Sequence, residues 1–160
     1  MTIMVDTREH ADQWRRIQRG FEAAGVEYIR SKLFVGDYMS LDSPRLVVDR
    51  KHDLAEIAVN FTDGKRTKTG YRSRFEEEMA TAKRHGIKIV FLVEHGRDIK
   101  TIEDVAAWVN PRLATSPLAI SGERIYRKML AFQGFYGVEF QFCDRKETAA
   151  RIIDILGGAS

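Results

Sequence analysis

The 160-residue chain has a single cysteine, Cys143, and only three prolines. One thiol forms no internal disulfide, so the fold must rest on a packed core, and the expected setting is a reducing cytoplasm. The four histidines, His10, His52, His85 and His95, fall at no spacing that sets two zinc ligands on one element. Long apolar runs are missing too: none approaches the roughly 20 residues that span a bilayer. The apolar stretch before Asp6 is too short for a signal peptide. The expectation is a soluble, cytoplasmic protein with no membrane partner. Repeats, low-complexity tracts and Pro-rich linkers are absent, so residues 1–160 read as one domain, long enough for a sizeable core.

What is present is globular in balance: 44% hydrophobic and 31% charged residues, which excludes general disorder. The net charge of +3 and a pI near 9.1 permit a nucleic-acid partner without requiring one.

The apolar spacing predicts alternating strands and helices. Residues 2–6 read as a strand. A helix from about Ala11 carries the stripe Trp14, Ile17, Phe21 and Ala24 and is closed by Gly25. A strand near residues 27–30 leads into two more, 35–41 and 45–51. Leu54, Ile57, Ala58 and Phe61 suit a short helix, residues 65–74 a mobile basic loop, and Tyr71, Phe75, Met79 and Ala82 one face of the next helix. Further elements are a strand at 88–93, a helix at 101–110, a loop at 110–116, a helix from about Leu118 to Gln133 before Gly134, and a strand at 138–142. Asp144-x-x-Glu147 reads as a capping box for a last helix with Ala149, Ile152, Ile153 and Leu156 inward. The fold class is α/β, a mixed central sheet flanked by helices.

Strands 35–41 and 45–51 carry Gly36-Asp37 and Val48-Asp49-Arg50-Lys51. Successive strand side chains alternate between faces, so Asp49 and Lys51 project together and Arg50 points away. An acid and a lysine closing an apolar run that is buried on both faces are seldom without purpose. Two carboxylates on neighbouring strands can hold Mg²⁺, which otherwise keeps water and phosphate oxygens. Lys51 beside them can orient a water or stabilise charge on a phosphate. Register decides whether the acids meet. A four-residue loop sets Asp37 opposite Arg50, whereas a three- or five-residue loop around Asp42-Ser43-Pro44 sets it opposite Asp49, with Cβ atoms about 4.5 to 5.5 Å apart. The turn residues alone do not choose between them.

With these residues in view, the chain resembles the XPF-type (excision-repair cross-complementing) nuclease domain, a branch of the restriction-endonuclease-like PD-(D/E)xK superfamily. Val5-Asp6-Thr7-Arg8-Glu9 is similar to the family's opening Val-Asp-x-x-Glu. Gly36-Asp37 follows, and Val48-Asp49-Arg50-Lys51 stands where Val-Glu-Arg-Lys is usual. Arg74-Phe75-x-x-Glu78 is similar to the Arg-x-x-x-Gln/Glu helix, and residues 89–94 to an apolar strand ending in Glu. Two features depart from the pattern: Ala55 replaces an outer acid, with Asp53 and Glu56 nearby, and no helix-hairpin-helix module is visible. The resemblance is to a compact, stand-alone prokaryotic or phage form.

The resemblance implies a restriction-endonuclease-like fold and a Mg²⁺-dependent DNA endonuclease, with Mn²⁺ able to substitute. Asp37, Asp49 and the Arg50 carbonyl are the implied metal ligands. Lys51 positions or activates water, Asp6 and Glu9 assist by holding a second cation or orienting its water, and Arg74 and Glu78 support the site. Basic residues Lys65, Arg66, Lys68 and Arg72, with Arg124, Arg127 and Lys128 on a later helix, are candidates for gripping phosphates. A plain cap at Ser121 with a charged outer helix face is the simpler reading of the second group. The implied partners are branched or flapped DNA and a homodimer mate, or a helicase or DNA-targeting protein. The competing readings are an inactive nucleic-acid-binding scaffold and a nuclease acting on RNA.

Overall fold

The computed structural model of the chain describes residues 1–67 and 70–158, with side-chain detail outside 65–67 and 70–72. A six-stranded mixed sheet runs in the order β2-β1-β3-β4-β7-β8. Its strands are β1 (Thr2–Val5), β2 (Glu27–Arg30), β3 (Tyr38–Ser40), β4 (Leu46–Lys51), β7 (Lys88–Glu94) and β8 (Glu139–Cys143). β3 is antiparallel to both β1 and β4, whereas β4, β7 and β8 are parallel and β2 is parallel to β1. The parallel strands need crossovers, which the helices supply.

Strands β4 and β7 are apolar on both sides because helices cover both sides. Val47, Ile89, Phe91 and Val93 pack toward α2 (Leu54–Thr62), α3 (Arg74–Arg84) and α4 (Gly122–Tyr136). Val48 and Leu92 pack toward α1 (Ala11–Ala23) and α5 (Thr148–Gly157). The first layer is aromatic: the Phe75 and Phe140 rings lie 4.7 and 5.1 Å from that of Phe91. In the second, α1 and α5 cross so closely that a Cβ on Gly20 would lie 2.3 Å from that of Ala149.

The structure departs from the sequence reading in the irregular stretches. Residues 65–74 are not simply a loop: β5 (Gly64–Thr67) and β6 (Gly70–Ser73) form an antiparallel hairpin, and Tyr71 belongs to it rather than to α3. Ser73 sets the start of α3, its hydroxyl accepting the Glu76 N–H. The helix expected over 101–110 is a short 3-10 turn, Glu103–Ala107. There the Asp104 carboxylate accepts the N–H groups of Lys100 and Thr101 and closes a tight turn instead of opening an α-helix. A second 3-10 turn, Pro111–Ala114, follows. α4 begins only after Ser121, whose hydroxyl accepts the Arg124 N–H, and passes through Gly134 to stop at the left-handed Gly137. At the last helix half of the expected box forms: Glu147 accepts the Asp144 N–H, but Asp144 accepts from Lys146, and α5 starts at Thr148.

Candidate active site

β4 leaves the core as Asp49-Arg50-Lys51, and alternation divides these residues between the two layers. Asp49 and Lys51 share the Val47 face. Lys51 Nζ lies 2.7 Å from Asp49 Oδ1, with the two side chains 12% and 7% exposed. The ammonium also sits over the Phe75 and Phe91 rings, 5.4 and 5.7 Å from their centroids. Burial by itself would lower the Lys51 pKa, but the charge and hydrogen bond of Asp49, with Glu56 and Asp37 behind, raise it above the ordinary lysine range. Lys51 is thus held as a cation against Asp49.

Tyr38 pairs with Val48 and Met39 with Val47, which carries Asp37 opposite Asp49. The connection is the five-residue one, Leu41 to Arg45, between the ends of β3 and β4. β3 itself is shorter than expected because Gly36 has a φ of +73°. A side chain there would also meet Val47 and the Val48 carbonyl at 3.0 to 3.3 Å, so only glycine brings Asp37 against β4. The Asp37 amide donates to the Val48 carbonyl at 2.9 Å, and its Oδ2 accepts the Arg50 N–H at 2.8 Å, continuing the ladder past the strand end. Glu78, half-buried on α3, lies beside Asp49 and near the Gly36 amide. Burial, then the Asp49 charge, push both Asp37 and Glu78 above the usual carboxylate range.

This donor set fits a hard divalent cation. Asp37, Asp49 and Glu78 crowd negative charge that Lys51 offsets only in part, and their oxygens are the ligand type Mg²⁺ and Mn²⁺ take. Among the described residues no group of three or more His, Cys, Asp or Glu side chains is placed to hold a metal ion, so protein ligands would be few and water or substrate oxygens would complete the shell. A cavity of about 280 Å³ opens beside Lys51, lined by Asn60, Asp63, Arg74, Phe75 and Glu78. Arg74 and Glu78 both reach it and, among the described residues, form no ion pair with each other.

On the opposite face Arg50 is buried among acids. Its Nη2 and Nε reach the two oxygens of Glu9 at 2.7 and 3.1 Å, and its Nη1 lies 3.5 Å from Glu94 Oε2. Glu94 Oε1 takes Arg16 and Thr148, both at 2.6 Å. Glu9 accepts further from Tyr38 OH at 2.8 Å and from His10 N–H at 3.2 Å. Asp6 is equally committed: Oδ1 accepts the Arg8 N–H and Nε, and Oδ2 accepts Arg8 Nη2 and the Leu33 N–H. With four donors on each carboxylate the lone-pair positions are filled. In this arrangement the oxygens of Asp6 and Glu9, the acids expected to hold a second cation or orient its water, are all taken by protein donors.

A family model for the ERCC4 domain matches residues 5–156. The chain belongs to the ERCC4 domain family. Among solved structures it is similar to XPF from Aeropyrum pernix, with a TM-score of 0.66 and 23% identity, covering 98% of this chain and 63% of that one. The same XPF in complex with DNA gives 0.64 and 23%, covering 99% and 64%. This ERCC4 domain thus spans less than two thirds of the XPF chains it matches. No curated protein sequence matches it. The fold is the restriction-endonuclease-like α/β arrangement expected from the motifs.

The remaining sequence candidates of the ERCC4 domain divide by location. Arg124 and Arg127 are exposed on α4, with Arg127 3.0 Å from Glu123, while Lys128 donates to the Phe61 carbonyl at the end of α2. Lys65, Arg66 and Arg72 lie on the β5–β6 hairpin, their side chains outside the described detail, and Lys68 lies outside the described residues. Asp53 accepts the Glu56 N–H and Glu56 accepts the His52 N–H, so both acids cap α2 where the family has its outer acid. Sequence reasoning left out Arg8, Asn60 and Asp63. Arg8 was visible only inside the Val5-to-Glu9 motif, and Asn60 and Asp63 reach the cavity through the turn of α2, which no local motif marks.

Asp6 should control acid stability. Burial alone would raise its pKa, but hydrogen bonds from the Arg8 side chain and the Arg8 and Leu33 amides override this and hold it at about 2. A depressed carboxylate contributes stability that is complete above its unfolded pKa of about 3.9 and is lost as pH falls through the folded value. Urea unfolding at pH 5 and at pH 2 should therefore show a loss of roughly 2 kcal/mol assignable to this group. In Asp6→Asn that part of the pH dependence should disappear, and an unchanged dependence would refute the assignment.

Proposed function

We propose that this ERCC4 domain is a metal-dependent DNA endonuclease that hydrolyses phosphodiester bonds, acting on branched or flapped DNA. The observation that carries the reading is the hairpin register that sets Asp37 opposite Asp49, with Lys51 paired to Asp49 on the same face. Family membership and the similarity to an XPF bound to DNA support the substrate class.

In this reading Asp37 and Asp49, with the Arg50 carbonyl, would hold Mg²⁺ or Mn²⁺. Such an ion supplies Lewis-acid polarisation of the phosphate and a water acidic enough to attack at neutral pH. The protein's own part is positional. The Arg50 N–H fixes the Asp37 carboxylate. Lys51, already protonated and almost dry, places its charge where the phosphate oxygens gather negative charge during in-line attack. Arg74, exposed at the cavity mouth, can hold a neighbouring phosphate. The products would be a 5′-phosphate and a 3′-hydroxyl. A second copy of the chain, or a helicase or DNA-targeting protein, is the proposed partner.

The test is cleavage of flaps, forks, four-way junctions and plain strands, as DNA and as RNA, with Mg²⁺ and with EDTA. Mg²⁺-dependent cutting of DNA forks or flaps is expected. Absence of cutting across the panel would identify a binding scaffold instead, and preference for the RNA strands would move the substrate class.

The β5–β6 hairpin adds a second measurement. Replacing Lys65, Arg66 and Lys68 together by Gln should lower the slope of log K against log salt by about 0.9 for each lost duplex phosphate contact, or about 0.7 on a single strand. An unchanged slope would mean that the hairpin takes no part in binding.

A further inference from the structure

The segment between β2 and β3 holds an aromatic side chain outward under unusual constraint. Phe34 is 65% exposed, yet its neighbours Leu33 and Val35 are each only 5% exposed and anchor it on both sides. The Leu33 N–H donates to Asp6 Oδ2 at 2.7 Å, and the Leu33 carbonyl accepts from Arg8 Nη2 at 3.2 Å. Gly36, in its left-handed conformation, fixes the far side. The exposed ring is thus carried between two buried neighbours, one of them bonded through its backbone to Asp6 and Arg8, which limits the ordering entropy lost when something stacks on it.

One edge of this ring is already occupied. His85, the residue that ends α3, meets Phe34 edge-to-face with centroids 4.9 Å apart and planes at 68°. His85 is itself held, its Nδ1 2.9 Å from the Thr81 carbonyl. The charges around the pair are cationic: Lys32 and Arg84 are exposed beside it in sequence, and Arg45 Nη1 approaches Gly86 next to His85. Such a cationic setting attracts the phosphates on either side of a base that stacks on the ring. Position matters most. Phe34 is three residues from Asp37, so its Cα is within about 10 Å of that residue. His85 is seven residues along α3 from Glu78, again about 10 Å. That reach covers about three nucleotides of stacked strand at 3.4 Å each.

We propose that Phe34, braced by His85 and held by the Asp6–Arg8 clamp, is a stacking platform for one unpaired nucleobase lying within about three nucleotides of the phosphate at Asp37 and Asp49. The inference rests on the reading of the domain as a DNA-cleaving enzyme and deepens it, because it states what the enzyme recognises: a single-stranded base next to the cut. A base inside a duplex presents no free face to the ring. Stacking on an aromatic side chain is sequence-tolerant, so the platform selects DNA structure and not sequence.

The test measures equilibrium binding in EDTA by fluorescence polarisation, so that cleavage plays no part. A fork carries a single abasic position moved stepwise along its single-stranded arm. With the wild-type protein one position should weaken binding by roughly 5- to 150-fold, the range for loss of one stacked base. Phe34→Ala should bind the intact fork more weakly by a similar factor, become indifferent to the abasic position, and bind plain duplex as the wild type does. Phe34→Trp should restore the sensitivity. Circular dichroism and thermal melting establish that each variant is folded, which an exposed position favours. Equal binding of fork by wild type and Phe34→Ala, or an equal loss on fork and duplex, would overturn the proposal. Failure of the enzyme reading shows itself separately, as wild-type protein that binds the fork but does not cut it when Mg²⁺ is added.

Discussion

Asp49→Asn should abolish Mg²⁺-dependent cleavage while leaving the protein folded and bound to DNA. A loss of at least 10² to 10³-fold, roughly what one preorganised charge-stabilising group supplies, is the minimum expected in single-turnover assays with excess protein. The amide cannot replace a charged oxygen ligand, and it also removes the partner that fixes Lys51 at 2.7 Å. Lys51→Met should be comparably inactive for a different reason. It keeps the aliphatic volume over Phe75 and Phe91 and deletes only the cation. Binding should survive both changes because affinity is spread over many phosphate contacts. Asp49→Asn should hold DNA at least as tightly as wild type in EDTA, since one negative charge facing the backbone is gone. Full activity in purified Asp49→Asn protein, or cleavage that persists in EDTA, would refute this mechanism.

The regular elements were legible because their side chains report burial with a fixed period. Trp14, Ile17 and Phe21 marked α1, and the double-sided apolar run of β7 marked a central strand. The hairpin register was not legible: three loop lengths were open, and Gly36 with its positive φ, together with a five-residue connection, decided it. Where sequence reading failed, local side-chain hydrogen bonds had outcompeted the helix ladder, as at Asp104, or a cap had delayed a helix, as at Ser121. The acids of the opening motif illustrate a different limit. Asp6 and Glu9 stood out through the opening motif, but sequence alone carries no record of the donors folded onto them, and in the structure these acids pair with Arg8 and Arg50.

Arg50 should prove the most damaging position in the site to truncate, and by loss of fold. Arg50→Ala is expected to cost about 3 to 5 kcal/mol, the usual penalty for leaving a buried charge without its partner. The side chains of Glu9 and Glu94 are only 4% and 0% exposed, so no solvent replaces the guanidinium between them. Burial tends to raise the Glu9 pKa, yet Arg50 holds it below the ordinary value, which shows how far that carboxylate depends on this one cation. Arg16 would still neutralise one oxygen of Glu94, and at 3.5 Å the Arg50 contact to Glu94 is an ion pair without a hydrogen bond, so most of the penalty should arise at Glu9. Two variants separate the causes. Glu9→Gln combined with Arg50→Met removes both charges and should recover most of the stability, because a neutral, well-packed substitute is often no worse than a buried pair. Asp49→Asn, one residue away on the other face, leaves the Glu9–Arg50–Glu94 contacts intact and should lower the melting temperature less than Arg50→Ala, because relief from repulsion with Asp37 and Glu78 offsets part of the lost Lys51 pairing. Arg50→Ala melting within about 2 °C of wild type, a change equivalent to no more than about 1 kcal/mol at this chain length, would show that the buried network does not hold the sheet end together.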